Sequence, residues 1–199
     1  MEKTVLFVLL DRFADWEGAF LASALRGGVL PGCPGGSYKV TYAAPQGRPV
    51  RSIGGMTVTP DCGTEALPSD CAALILIGGM RWQAPEAEAV AALVGEALGR
   101  GILVGGICNA SSFLAAHGFL NDVRHTGNTL EMLKKWGGSR YTGEALYEER
   151  QAVRDGNIVT ANGTGYLEFT RECLLWLEAG TKERIAASYA LNKHGFCKE

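Results

Sequence analysis

One stretch of this 199-residue chain carries more chemical information than the rest: Ile102-Leu-Val-Gly-Gly-Ile-Cys-Asn-Ala-Ser-Ser-Phe-Leu114. An apolar run leads straight into Cys108, and a helical pattern starts at once. A strand-to-helix turn this sharp forces its central residue into a strained backbone and pushes the side chain into the open. That is the geometry of a nucleophile elbow, here with sulfur in place of a hydroxyl. The helix N-terminus directs partial positive charge at the sulfur, which predicts a thiol pKa below the usual value of about 8.5. Gly105, Gly106 and Ala110 are small, as close packing around such a turn requires. The opposing reading is a buried core cysteine, since free cysteines are among the most buried residue types. The other five fit that reading or have no organised partners. Cys173 falls within an amphipathic helical pattern and Cys71 starts a core strand, while Cys33, Cys62 and Cys197 lie in loop-like or terminal segments.

Two other strand ends offer groups that could serve such a thiol. Gly78-Gly79 follows the apolar run Ala72–Ile77 and leaves backbone N–H groups free, so that with the Asn109 amide it could form an oxyanion hole. After the first strand, Asp11–Glu17 places Glu17 just inside a helix. A carboxylate there is usually a solvated residue favoured by the helix dipole. The alternative is that it reaches the sulfur, either donating a hydrogen bond when protonated or relaying a proton. His125, in Arg124-His-Thr-Gly-Asn128, follows the elbow helix and a short strand-like segment that could return it over the sulfur. His117 precedes Gly118 at a helix end, where a structural role is expected, and His194 falls in an exposed tail. Asp15 and Asn128 are weaker site candidates, and Trp16 and Trp82 are candidate pocket walls. No cluster has zinc spacing, so neither a metal nor another cofactor is expected.

The elements that must position these groups alternate in type. Buried strands are predicted at Thr4–Leu10, Ala72–Ile77 and Gly101–Ile107, each a mostly apolar run, and a further strand at Tyr38–Ala44. Helices are predicted at Asp15–Arg26, Pro85–Leu98, Ala110–Ala116, Asn128–Trp136, Thr164–Glu178 and Lys182–Leu191. Leu30–Ser37 reads as a Gly/Pro-rich surface loop and Val123–Thr126 as a short strand. Val50–Ile53 and Met56–Thr59 read as a hairpin across Gly54-Gly55, and Gln151–Arg154 and Asn157–Ala161 as another across Asp155-Gly156. The alternation implies an α/β fold with a mostly parallel sheet between two helical layers, plus extra β-hairpins. Functional groups in such sheets gather at the carboxyl ends of the strands.

Composition bounds the class. At this length one domain spanning residues 1–199 is expected. Hydrophobic residues make up 47% and charged residues 20%, which excludes overall disorder. A net charge of -2 argues against a nucleic-acid partner, though not against a local basic patch. No apolar run reaches the ~18 residues of a membrane span, so no membrane partner is expected. The first apolar stretch lacks the flanks of a signal peptide, which makes the cytoplasm the expected compartment.

At Asp15-Trp-Glu17, Leu76-Ile-Gly-Gly79, Gly105-Gly-Ile-Cys-Asn-Ala110 and Thr160-Ala-Asn-Gly-Thr-Gly-Tyr-Leu-Glu168, the chain resembles the ThiJ/PfpI superfamily, also called the DJ-one/PfpI family. The resemblance covers nearly the whole chain. It implies a flavodoxin-like three-layer sandwich of the class I glutamine amidotransferase-like type. It also implies a Cys108 nucleophile with Glu17 as its carboxylate partner, and the Gly79 and Asn109 amides as oxyanion hole beside a pocket near Gly78. Relatives often carry a catalytic or site-lining histidine in the region of His125, and they commonly form homodimers with the site near the interface. Their activities include hydrolase, glyoxalase and deglycase chemistry on small carbonyls or amides, as well as oxidative-stress roles. Two departures narrow this. Asn109 stands where peptidase-like relatives have histidine, and the late segment has Glu168 but no histidine, unlike true glutamine amidotransferases. The expected function is a cysteine-dependent enzyme acting on a small-molecule substrate. The rival is a non-catalytic redox sensor, because a thiol that ionises easily is also easily oxidised.

Overall fold

The computed structural model describes residues 3–30 and 38–195. Most of the loop read at Leu30–Ser37, together with Cys33 and Cys197, lies outside them. Within them the elements run β1 (Lys3–Val8), α1 (Asp15–Gly27), β2 (Tyr38–Ala43), β3 (Val50–Arg51), β4 (Thr57–Val58), β5 (Cys71–Leu76), α2 (Glu88–Gly99), β6 (Leu103–Ile107), α3 (Asn109–Ala116), α4 (Leu130–Gly137), β7 (Ala152–Asp155), β8 (Ile158–Ala161), α5 (Tyr166–Trp176) and α6 (Lys182–His194). No helix among the described residues is long and apolar enough to cross a membrane.

Six strands form one sheet in the order β2-β1-β5-β6-β8-β7, parallel throughout except for β7, which pairs antiparallel with β8. The central strands are apolar at nearly every position because both sheet faces are covered. Leu6, Val8, Leu74, Leu76 and Val104 belong to the core on one face, with side chains of α2, α3 and α4. Val5, Phe7, Ala73, Ile75 and Leu103 belong to the other, with side chains of α1 and α5 and with Ile185 of α6. Two glycines of β6 let the helices approach. A Cβ on Gly105 would stand 2.8 Å from Phe169 Cζ, and one on Gly106 would stand 2.7 Å from Leu114 Cδ1.

Three readings of local structure change. β3 and β4 do form a hairpin, but Ser52 N–H donates to Met56 O (2.8 Å), so the loop is the three residues 53–55 with Gly55 at φ 91°. A three-residue loop with a left-handed glycine closes such a pair as well as a two-residue turn does. Residues 123–126 form no strand, only an isolated bridge from His125 to Tyr147. The α4 helix starts later than read, because the Thr129 hydroxyl accepts from Met132 N–H and caps it.

Candidate active site

Cys108 sits between β6 and α3 with φ 59° and ψ −125°, a conformation that costs a non-glycine residue about 1–3 kcal/mol. The neighbourhood holds it there. Its N–H donates to Ala161 O at the end of β8 (2.9 Å), and its carbonyl accepts from Ser111 N–H (3.1 Å). The buried Ser111 hydroxyl, lying 2.9 Å from Gly106 O and 3.1 Å from Ala161 O, ties the same strand ends together. The elbow is therefore over-determined by β6, β8 and the first turn of α3.

Glu17 lies in the first turn of α1 and is 1% exposed. Gly78 lets it meet the cysteine: a Cβ on Gly78 would fall 2.3 Å from Glu17 Oε2 and 2.6 Å from Cys108 Cβ. Gly163 closes the other side, where a Cβ would fall 3.1 Å from Cys108 Sγ and 3.2 Å from Glu17 Oε1. Burial pushes the Glu17 carboxyl up to about 7, partly offset by the nearby Cys108 thiol and Gly78 amide. Its Oε2 has no hydrogen bond of standard geometry. The thiol behaves differently from the sequence expectation. Burial and the Glu17 charge push Cys108 up to about 11, against the opposing pull of Asn128 and the Asn109 amide. Sequence reasoning saw the helix N-terminus but neither the enclosure nor the facing carboxylate.

Asn128 touches the sulfur as well. Its Nδ2 lies 3.3 Å from Cys108 Sγ and 3.3 Å from Asn109 Oδ1, and its Oδ1 accepts from Gly163 N–H at 2.9 Å. Asn109 in turn donates from Nδ2 to Gly79 O (2.8 Å), which joins the Gly78-Gly79 turn to the elbow. No acceptor among the described residues takes the Gly79 N–H. Trp16 reaches the rim, with Nε1 donating to Gly163 O (3.2 Å). Asp15 faces away from the sulfur. Its Oδ2 accepts from Gly54 N–H (2.9 Å) and anchors the loop of the β3–β4 hairpin.

His125 is not brought to the sulfur. It is fully buried, with Nδ1 2.7 Å from Val123 O and Nε2 2.7 Å from the Tyr141 hydroxyl. Both ring nitrogens are thereby engaged, and burial lowers its pKa. No hydrogen bond among the described residues links it to Cys108 or Glu17. Trp82 is also a core residue and not a pocket wall: it donates to Ile77 O (2.8 Å) and packs against Phe113. His117 packs on Phe113, in keeping with a structural role, and His194 is exposed at the end of α6. Glu168 accepts from Tyr189 and Lys193, both on α6. Among the described residues no three His, Cys, Asp or Glu side chains gather so as to hold a metal ion.

Comparison with known proteins places this arrangement. The DJ-1/PfpI family model matches residues 3–175, which ends within α5 and does not reach α6. The Bacillus subtilis (strain 168) protein named "Uncharacterized protease YdeA" is 36% identical over 194 residues, covering 98% of this chain and 93% of its own. The crystal structure of the DJ-1 superfamily protein Atu0886 from Agrobacterium tumefaciens matches with a TM-score of 0.84 at 39% identity, covering 96% of this chain and 100% of its own. A thiJ/pfpI family protein from Bacillus anthracis matches with a TM-score of 0.89 at 30% identity, covering 98% of this chain and 93% of its own.

Proposed function

Because the chain belongs to the DJ-1/PfpI family, we propose that it is a cytoplasmic cysteine-dependent enzyme that attacks a small carbonyl or amide. The observation that carries this reading is the meeting of a strained elbow thiol with a buried carboxyl whose pKa stands near 7. A group poised near the working pH is suited to accept and return a proton. Glu17 takes the thiol proton as Sγ bonds to the carbonyl carbon, and the C=O electron pair moves onto oxygen. The N–H groups of Gly79 and Asn109 stabilise that oxygen. Glu17 then returns its proton, either to the oxygen, giving a hemithioacetal, or to the amide nitrogen as the C=O bond re-forms and the C–N bond breaks, leaving an acyl thioester on Cys108 that water hydrolyses to free the thiol. Asn128 holds the sulfur in position, and Trp16 covers the rim. His125 braces the segments around Val123 and Tyr141 and carries no proton in this scheme.

The raised thiol weighs against the redox-sensor reading. Oxidation proceeds through the thiolate, and a thiol pushed to about 11 is mostly protonated at rest. Activation on substrate binding fits that state better.

A second copy of the chain completes the mouth of the site. Trp16, Ile53, Met56 and Met80 are four of the five large apolar side chains left exposed among the described residues. Their loops are tied together through Phe13, which bridges to both Ser52 and Gly79. Sedimentation of the wild type and of Met80→Glu tests this: a dimer that weakens in the variant supports it, and a wild-type monomer refutes it. For the chemistry, methylglyoxal and a fluorogenic amide are offered to wild type and Cys108→Ala. Turnover lost in the variant is expected. Equal rates in both, or no turnover of either substrate class, would overturn the enzymatic reading.

A further inference from the structure

A cleft of about 350 Å³ opens between α1, α5 and α6, within the range of small-molecule sites. Its floor is apolar, formed by Phe20, Ala24, Leu174 and Ile185, and Ser188 and Asn192 stand among its polar groups. We infer that this cleft is a second ligand site, separate from Cys108, for a one- or two-ring molecule bearing a hydroxyl or carbonyl group.

An unsatisfied polar atom points to a missing partner. Native structures rarely leave buried polar atoms unpaired, so each exception asks for an explanation. Among the described residues five buried side-chain oxygens lack a hydrogen bond, and one of them is Thr170 Oγ1 on α5. Thr170 lines the cleft and is 8% exposed. A threonine in a helix has two accessible rotamers, so its hydroxyl can turn toward an occupant. A ligand carbonyl or hydroxyl would supply what the fold does not.

Charge at the rim is partly compensated. Among the described residues that line the cleft Arg171 is the charged one; its guanidinium is 2.9 Å from Glu172 Oε1 and lies 4.8 Å over the Tyr189 ring, and Glu172 is shared with Arg154 at 3.2 Å. Glu168 Oε1 is matched by Lys193 Nζ at 2.9 Å. The cleft lining thus offers a cation no carboxylate of its own. The outer wall is able to yield, because Ile185 is the one buried residue of α6.

The test is calorimetric titration of the whole protein with 2-naphthol. Wild type is expected to bind one equivalent, and Cys108→Ala to bind equally well. Ala24→Phe, which fills the floor, should abolish binding. Thr170→Val, which keeps the shape and removes the hydroxyl, should weaken it about fivefold without lowering the melting temperature. Thermal melts and Cys108 alkylation establish that the variants are folded, and if Ala24→Phe is not, Thr170→Val decides. Absence of saturable binding overturns the site. So does binding that survives Ala24→Phe, that is lost in Cys108→Ala, or that Thr170→Val leaves unchanged. Failure of the catalytic reading would leave this result untouched, since no readout uses turnover.

Discussion

Replacing Glu17 with Gln removes one negative charge facing Cys108, and the size of the effect follows from the geometry. Sγ and Oε1 lie 3.1 and 3.2 Å from one point, the place a Gly163 Cβ would occupy, so they are close neighbours. At a separation of ~5 Å and an effective dielectric near 20, two unit charges repel by about 3 kcal/mol, a factor of roughly 200 in the thiol's ionisation constant. The thiol stands at about 11 while Glu17 is ionised. Glu17→Gln is therefore expected to lower its titration by about two pH units. In wild type the pair titrates as a unit, with steps near 7 and near 11. Between them it carries one negative charge, mostly on the carboxylate. The minor form, with thiolate and carboxyl, is on the order of a few per cent, helped by the N-terminus of α3.

The assay is the rate of iodoacetamide alkylation at Cys108 from pH 5 to above 10, read by intact mass and peptide mapping. Wild type should show a low limb that levels off above 7 and a steep rise toward 11. The variant should show one titration, near pH 9. Three outcomes would refute the reasoning: an unmoved upper midpoint in Glu17→Gln, a midpoint that rises, or a single wild-type midpoint well below 7. The last would mean that the thiolate is the resting state and the carboxyl its permanent hydrogen-bond donor.

Folding stability should report the same carboxyl. Its pKa is 4.5 in the ordinary state and about 7 when folded, so its stabilising contribution is fully present below pH 4.5 and is lost as pH rises through 7. Glu17→Gln should gain up to about 3 kcal/mol at pH 8 and nothing at pH 4, read as a melting temperature raised by roughly 5–10 °C at the higher pH alone. The two glycines should separate fold from chemistry. Gly78→Ala, with its 2.3 Å and 2.6 Å clashes, should cost about 3 kcal/mol or more in chemical denaturation. Gly163→Ala, with contacts near 3.1 Å, should cost under about 1 kcal/mol and slow Cys108 alkylation severalfold. Cys108→Gly should melt above Cys108→Ala by roughly 1 kcal/mol, because glycine alone relieves the positive φ. His125→Ala should lose about 2 kcal/mol through two broken buried hydrogen bonds while the folded protein keeps the wild-type alkylation profile.

The sheet and its helices were legible in sequence because each central strand is an unbroken apolar run, and only burial on both faces demands that. The elbow was legible for a related reason: Leu103–Ile107 runs into α3 with no turn residue between, and a chain can reverse so abruptly only through a strained position. What escaped depends on side chains that meet across distant segments. Asn128 ranked low because nothing near it in sequence reveals that its amide will rest 3.3 Å from Sγ. His125 ranked high because its segment returns toward the strand ends, yet Tyr141 and Val123 claim both nitrogens. Gly163 lies in the Thr160–Glu168 segment that carries the resemblance, yet nothing in that segment reveals that it walls both reacting groups.

The thiol is the most instructive case, because the same few atoms push it both ways. A helix N-terminus contributes about 0.3–1 kcal/mol toward the thiolate, up to ~2 in a partly buried geometry. The facing carboxylate opposes it by about 3 kcal/mol at the separation argued above. Burial adds to the carboxylate's effect, so the sulfur keeps its proton at rest. When Glu17 is neutral the opposing charge vanishes and the favourable dipole stays, which brings the thiol down by about two pH units while burial still holds it up. A substrate oxygen that draws the Glu17 proton or accepts the developing charge at Gly79 and Asn109 would find the sulfur already aimed. The site is thus arranged to ionise its thiol during attack, with the carboxyl near 7 as the group that makes the exchange cheap.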